Sequence, residues 1–203
     1  NLKDEPADQG KLGHPRLGFF GVIDERIDLE LIRLVAAARR DWQLIMIGPV
    51  VKIDPASLPR EPNLHWLGMK QYGELPAYVS GWDVALMPFA LNRATRFISP
   101  TKTLEYMAAG KAIVSTGVRD VIEPYGRIGA VHIADASNFV QAIEAALNEA
   151  PEELNERFEL ILAQTSWDET WKRMVRVLER EVTSRTSQSR PATERDELSC
   201  LTI

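Results

Sequence analysis

The run Ser99-Pro100-Thr101-Lys102, with Glu105 about one turn further on, gathers residue types able to hold a phosphorylated ligand. Ser99 suits an N-cap and Pro100 the first helical position, so a helix is predicted to start there and to close at Gly110. Lys102 then falls in the first turn, where the helix dipole disfavours a cation by about 0.3 kcal/mol. Arg93 and Arg96 add positive charge just upstream. An anion would resolve this arrangement, because free backbone N–H groups and Lys102 can share a phosphate. The competing reading is that these long side chains simply reach into water. Glu105 shares one side of the helix with Thr101 and Lys102, where its carboxylate can accept bonds from two ribose hydroxyls. Its plainer alternative is a surface pair with Lys102 worth about 0.3 kcal/mol. Leu104, Met107 and Ala108 are expected to form the stripe that faces the rest of the fold.

The elements around this run alternate in type. Short apolar runs ending at turn residues predict strands over Leu17 to Phe20, Trp42 to Ile47, Leu64 to Leu67, Asp83 to Met87, Ala112 to Ser115 and Ala130 to Ala134. Between them lie helix-period stretches: one capped by Asp28 and running to about Arg40, and a short one around Glu74 to Ser80. Helices from Ser137 to Glu149, Pro151 to Gln164 and Ser166 to about Val182 complete the pattern. Buried strands alternating with helices predict an α/β, doubly wound, Rossmann-like parallel sheet flanked by helices. Ligands in such sheets sit beyond the carboxyl ends of the strands. That rule selects the loops Gly21 to Asp28, Gly48 to Leu58, Pro88 to Ser99 and Thr116 to Asp120. The expected organisation is a linker over residues 1–14, the Rossmann-like domain over 15–183 and a Ser/Thr/Arg-rich disordered tail over 184–203.

Composition excludes several classes. The chain has 203 residues with a formal net charge of −5, which argues against a nucleic-acid partner. Its single cysteine, Cys200, cannot form an internal disulfide. No apolar run approaches the ~20 residues that cross a bilayer, and the first residues lack an apolar signal core. The expected location is cytoplasmic, with any membrane contact made outside this chain. His14, His65 and His132 lie far apart without a helical partner suited to metal binding, so no metal site is expected.

The run Ser99 to Thr116 resembles the donor-binding signature of retaining glycosyltransferases built from two Rossmann-like domains, the GT-B fold, in the "glycosyl transferases group 1" family. The blocks Phe19-Phe20-Gly21, Leu44 to Gly48, Asn63 to Gly68 and Asp83 to Pro88 occur in that family's order. The resemblance covers roughly Pro15 to Arg180 and marks the chain as the C-terminal, donor-binding half of such an enzyme. It implies that Ser99, Thr101 and Lys102 surround a diphosphate, that Glu105 holds the ribose and that Gly21 belongs to the same donor-binding site. Arg26 and Lys102 would stabilise the leaving group, with Lys52 and Arg96 as further phosphate-binding candidates. The substrate implied is a UDP or GDP sugar, transferred to a glycan or glycolipid acceptor without a required cofactor. The partner implied is an N-terminal acceptor-binding domain, without which the isolated chain would be inactive. The sequence departs from the family at Phe97, where a sugar-contacting Glu is expected, and at Gly21-Val22-Ile23, where Gly-Arg-Leu is expected. A non-catalytic nucleotide-binding module and a nucleotide-sugar epimerase of similar architecture stand as alternatives.

Overall fold

The computed structural model describes residues 5–165 and 167–188 of the chain. It contains one six-stranded sheet: β1 (Arg16–Phe20), β2 (Gln43–Ile47), β3 (Leu64–Gly68), β4 (Val84–Met87), β5 (Ala112–Ser115) and β6 (His132–Ile133). Every pairing is parallel and the order is β3-β2-β1-β4-β5-β6. This is the doubly wound order with its switch point between β1 and β4, where the chain reverses its direction of travel across the sheet. The predicted fold class is therefore the observed one.

Helices follow from the same pattern. α1 (Ala7–Gly10) lies within the segment read as a linker; its Gln9 is fully buried and bonds the Tyr78 carbonyl and the Trp82 indole. α2 (Leu29–Ala38) is capped as expected, the Asp28 carboxylate accepting from the Leu31 amide at 2.9 Å. Its Leu31, Ile32, Val35 and Ala36 are buried, a one-sided stripe at helical spacing. α3 (Leu75–Ser80), α4 (Lys102–Ala108) and α5 (Arg119–Val121) follow, then α6 (Phe139–Leu147) and α7 (Pro151–Ala163). Right-handed crossovers send α2 and α4 to opposite faces, since β1→β2 and β4→β5 run in opposite directions across the sheet. α2 and α6 meet on one face, where Arg39 pairs with Glu144. The chain divides into two compact units, one ending at Leu162 and the other beginning at Ala163. The second contains α8 (Trp167–Gln188), which extends past the Val182 end predicted for it. The remainder of the predicted tail, 189–203, lies outside the described residues.

Two local expectations are corrected. α4 does not start at Pro100 under a Ser99 cap: it begins at Lys102, after a tighter turn in which Thr103 and Leu104 amides bond the carbonyls three residues back, at Pro100 and Thr101. Its buried stripe is Thr103, Tyr106 and Met107, whereas Ala108 is exposed. Tyr106 sets that phase. Its ring packs edge-on against Phe20 and Trp82, at centroid distances of 5.2 and 6.0 Å, and its hydroxyl accepts the Phe20 amide at 3.2 Å. A tyrosine whose polar end finds a partner can be wholly buried.

Candidate functional site

The loops at the carboxyl ends of β1, β2 and β4 are tied together by backbone bonds. Ile23 donates to the Pro49 carbonyl and receives from the Val51 amide, both at 3.0 Å, so the β1 and β2 loops run side by side. On the other flank Ala90 donates to the Arg26 carbonyl at 2.8 Å and the Asn92 side chain to the Glu25 carbonyl at 2.9 Å. Arg26 is thus fixed at the switch point by loops from both neighbouring strands.

Lys102 reaches into the same place from α4. Its side chain lies on the backbone of Gly21, so close that a Cβ there would stand 2.5 Å from the lysine Cε. The ammonium sits 5.8 and 5.9 Å from the centroids of Phe19 and Phe20. Among the described residues it has no ion-pair partner or hydrogen bond. Burial pushes its pKa down; Glu105 opposes that shift, and the nearby Arg26 charge reinforces it. A cation held in a partly dry place beside a second cation is poorly placed for stability and well placed for an anion.

Glu105, half-buried on the same side of α4, accepts a hydrogen bond from the Tyr72 hydroxyl at 3.1 Å. That carboxylate raises the Tyr72 phenol pKa. Tyr72 is 76% exposed and comes from the loop after β3. It was not singled out in the sequence, because 33 residues separate the pair and only the strand order brings them together. Asp24 was likewise missed. It is 2% exposed, and its carboxylate receives the Arg26 amide at 3.0 Å, Nε at 2.9 and 3.1 Å, and Nη2 at 2.7 Å. The Arg26 guanidinium holds the Asp24 carboxyl below the usual carboxylate range, against the opposing effect of its burial. A carboxyl depressed on folding stabilises the fold above its unfolded pKa, and that contribution is lost as the pH falls through the folded value. Asp24→Asn is therefore expected to lower the melting temperature at neutral pH and to narrow its gap to wild type below about pH 4. A gap that stayed constant from pH 7 to 3 would deny the pairing this role.

The remaining candidates are placed differently. Lys52 takes a left-handed backbone, φ +62°, and is exposed, its ammonium 3.8 Å from Glu25; its charge also acts on Asp24. Thr101 is exposed and caps nothing through its side chain. Arg96 lies over the ring of Phe97, 5.2 Å from its centroid, and Phe97 is 74% exposed. Ser99 opens onto a groove of about 330 Å³ shared with Arg119, Asp120, Glu123, Pro124 and Tyr125. Among the described residues no hydrogen bond or ion pair joins Ser99, Thr101 or Arg96 to Lys102, Glu105 or Arg26. α4 has only seven residues, so the anion-attracting feature is the Lys102 ammonium, with a small part left to the helix dipole. Among the described residues no group of three or more His, Cys, Asp or Glu could hold a metal ion. No described helix is long and apolar enough to cross a membrane.

Comparison with known proteins agrees with the fold. Residues 14–149 match the model of a family described as glycosyl transferases group 1. The putative teichuronic acid biosynthesis glycosyltransferase TuaH of Bacillus subtilis (strain 168) is 32% identical over 105 residues, 50% of this chain and 26% of that protein. Among solved structures, an α,α-trehalose 6-phosphate synthase from Burkholderia multivorans superposes with a TM-score of 0.58 at 17% identity, over 89% of this chain and 45% of its own. WaaG, a glycosyltransferase involved in lipopolysaccharide biosynthesis, gives 0.53 at 14% identity, over 78% of this chain and 46% of its own. These two likenesses concern the fold. The chain spans less than half the length of each of these proteins.

Proposed function

The chain belongs to the glycosyl transferases group 1 family, and from that premise we propose that it is the donor-binding half of a sugar-transferring enzyme whose donor is a nucleoside diphosphate sugar. The observation that carries the reading is the Lys102 ammonium laid on Gly21 at the switch point, without an ion pair or hydrogen bond among the described residues, with Glu105 beside it on α4. A diphosphate supplies the countercharge that Lys102 lacks and accepts from the edge of Arg26 that Asp24 leaves free. A ribose supplies two hydroxyls to the Glu105 carboxylate, taking over from Tyr72.

In this reading the bond between the anomeric carbon and the phosphate oxygen breaks, and its electron pair leaves with the nucleoside diphosphate. Lys102 and Arg26 stabilise the charge that develops there, an electrostatic contribution that needs no proton transfer from either. An acceptor hydroxyl on a glycan or glycolipid then bonds the anomeric carbon and passes its proton to the released diphosphate. Retention of configuration, a UDP or GDP donor, a cytoplasmic location and an acceptor domain supplied by the rest of the protein belong to the same proposal. So does the inactivity of this half alone.

Calorimetry with UDP and with 2′,3′-dideoxy-UDP tests the Glu105 assignment. Two charge-assisted bonds to ribose are worth enough that the wild-type chain should prefer UDP by about tenfold or more. Glu105→Ala should bring UDP down to the dideoxy level and leave the dideoxy compound unaffected. Equal wild-type affinity for the two would remove Glu105 from the ribose. Binding without any transfer by the complete protein would favour the non-catalytic module.

A further inference from the structure

The cation that matters at Arg26 is not held by the loop backbone alone. Asp24 is almost wholly buried, yet it is a carboxylate, and burying one is costly unless its oxygens are filled. Arg26 fills them from three directions: its own amide, Nε and Nη2. The fork contact occupies one edge of the guanidinium, and Nη1 has no hydrogen-bond partner among the described residues. Planarity then fixes where the free edge points, because a guanidinium gripped along Nε and Nη2 cannot rotate out of the plane of the carboxylate. The loop itself cannot drift, being bonded to the β2 loop through Ile23 and to the β4 loop through the Arg26 carbonyl. Lys102 lies on Gly21, at the start of the same β1 loop that carries Arg26, so both cations stand at this end of the sheet.

We propose that Asp24 is a positioning residue for the donor site: it locks the guanidinium of Arg26 so that its free edge donates to the diphosphate beside Lys102. The inference rests on the donor reading above and extends it to a residue that never touches the ligand. It makes Arg26→Lys a severe change. An ammonium is a point donor, and a single short head cannot satisfy the buried Asp24 and reach a phosphate together.

UDP and uridine, titrated calorimetrically into wild type, Asp24→Asn, Arg26→Lys and the double variant, test this, with melting curves to establish folding. Each single variant should lose about tenfold or more in UDP affinity, and the double variant little beyond either, because the two residues act as one unit. Uridine, which lacks phosphates, should bind all four alike; a merely structural role for Asp24 would weaken it too. Should Asp24→Asn fail to fold, Arg26→Lys carries the test, since full UDP affinity in that variant overturns the proposal. UDP binding that is intact in Asp24→Asn, or UDP and uridine weakened in parallel, overturns it while leaving the donor reading in place. A wild-type chain that binds neither UDP nor GDP overturns both; should it bind GDP alone, the same four variants are titrated with GDP and guanosine.

Discussion

Lys102→Met is expected to cut UDP affinity about ten- to a hundredfold while leaving the melting temperature unchanged or higher. The apolar stem of methionine keeps the contact with Gly21 and the two phenylalanine rings, so packing is preserved and only the ammonium is lost. In the folded chain that ammonium is desolvated and shares its surroundings with Arg26, and among the described residues no carboxylate is in contact with it. Removing a charge that folding must desolvate does not destabilise the fold, and such opposition between stability and activity is what a binding residue shows. On the proposed function, the same change in the complete protein would remove stabilisation of the departing diphosphate, and kcat should fall about a hundredfold or more. If affinity and melting temperature both dropped, Lys102 would be a structural residue, and the site would lose its principal cation.

Gly48→Ala is expected to cost the fold heavily. Gly48 ends β2 with φ +144°, and a Cβ there would sit 1.8 Å from the Gly21 carbonyl oxygen and 2.7 Å from its carbonyl carbon. Neither backbone can retreat freely. The Gly21 amide donates to the Ile47 carbonyl at 2.8 Å, and the Gly48 amide to the Gly68 carbonyl at 2.9 Å, so a shift breaks sheet pairing. Strained backbone costs about 1–3 kcal/mol by itself, and the clash should bring the total to about 4 kcal/mol or more. For a chain of this size that lowers the melting temperature by about 10 °C. Gly68→Ala is the informative control. Its φ is +68°, but nothing lies within 4 Å of the added Cβ, so only the strain of about 1 kcal/mol remains. Similar losses at the two positions would mean that the Gly21–Gly48 approach is not a constraint. Because that approach sets where Gly21 receives Lys102, any Gly48→Ala protein that folds should also bind UDP less tightly.

The particular residues show what could be read from sequence. Asp28 was legible as a cap because its partner, the Leu31 amide, is three residues away and local. Ser99 was misread by the same rule: capping preference ranks residue types, but the chain at Pro100 and Thr101 makes a tighter turn first and Ser99 faces the Arg119 groove. The buried face of α4 was misplaced because periodicity counts apolar side chains, and it passed over Tyr106, whose hydroxyl is satisfied by an amide of β1. The alternation of strands and helices, a local property, carried the fold class and hence the ends of the strands where a site belongs. Lys102 and Glu105 were visible because they share a helix. Tyr72, Asp24 and the approach of Gly48 to Gly21 were not, since each acquires its meaning from neighbours that only the β3-β2-β1-β4 order supplies.

Backbone amide shifts of the isotope-labelled chain during titration with UDP test the central claim most directly. The account predicts saturable shifts centred on Gly21 to Arg26, on Lys102 to Glu105 and at Tyr72. The α1 segment and α6, on other parts of the first unit, should stay still. Saturable shifts elsewhere with the Gly21 and Lys102 amides unmoved, or no saturable shift with UDP or with GDP, would contradict it.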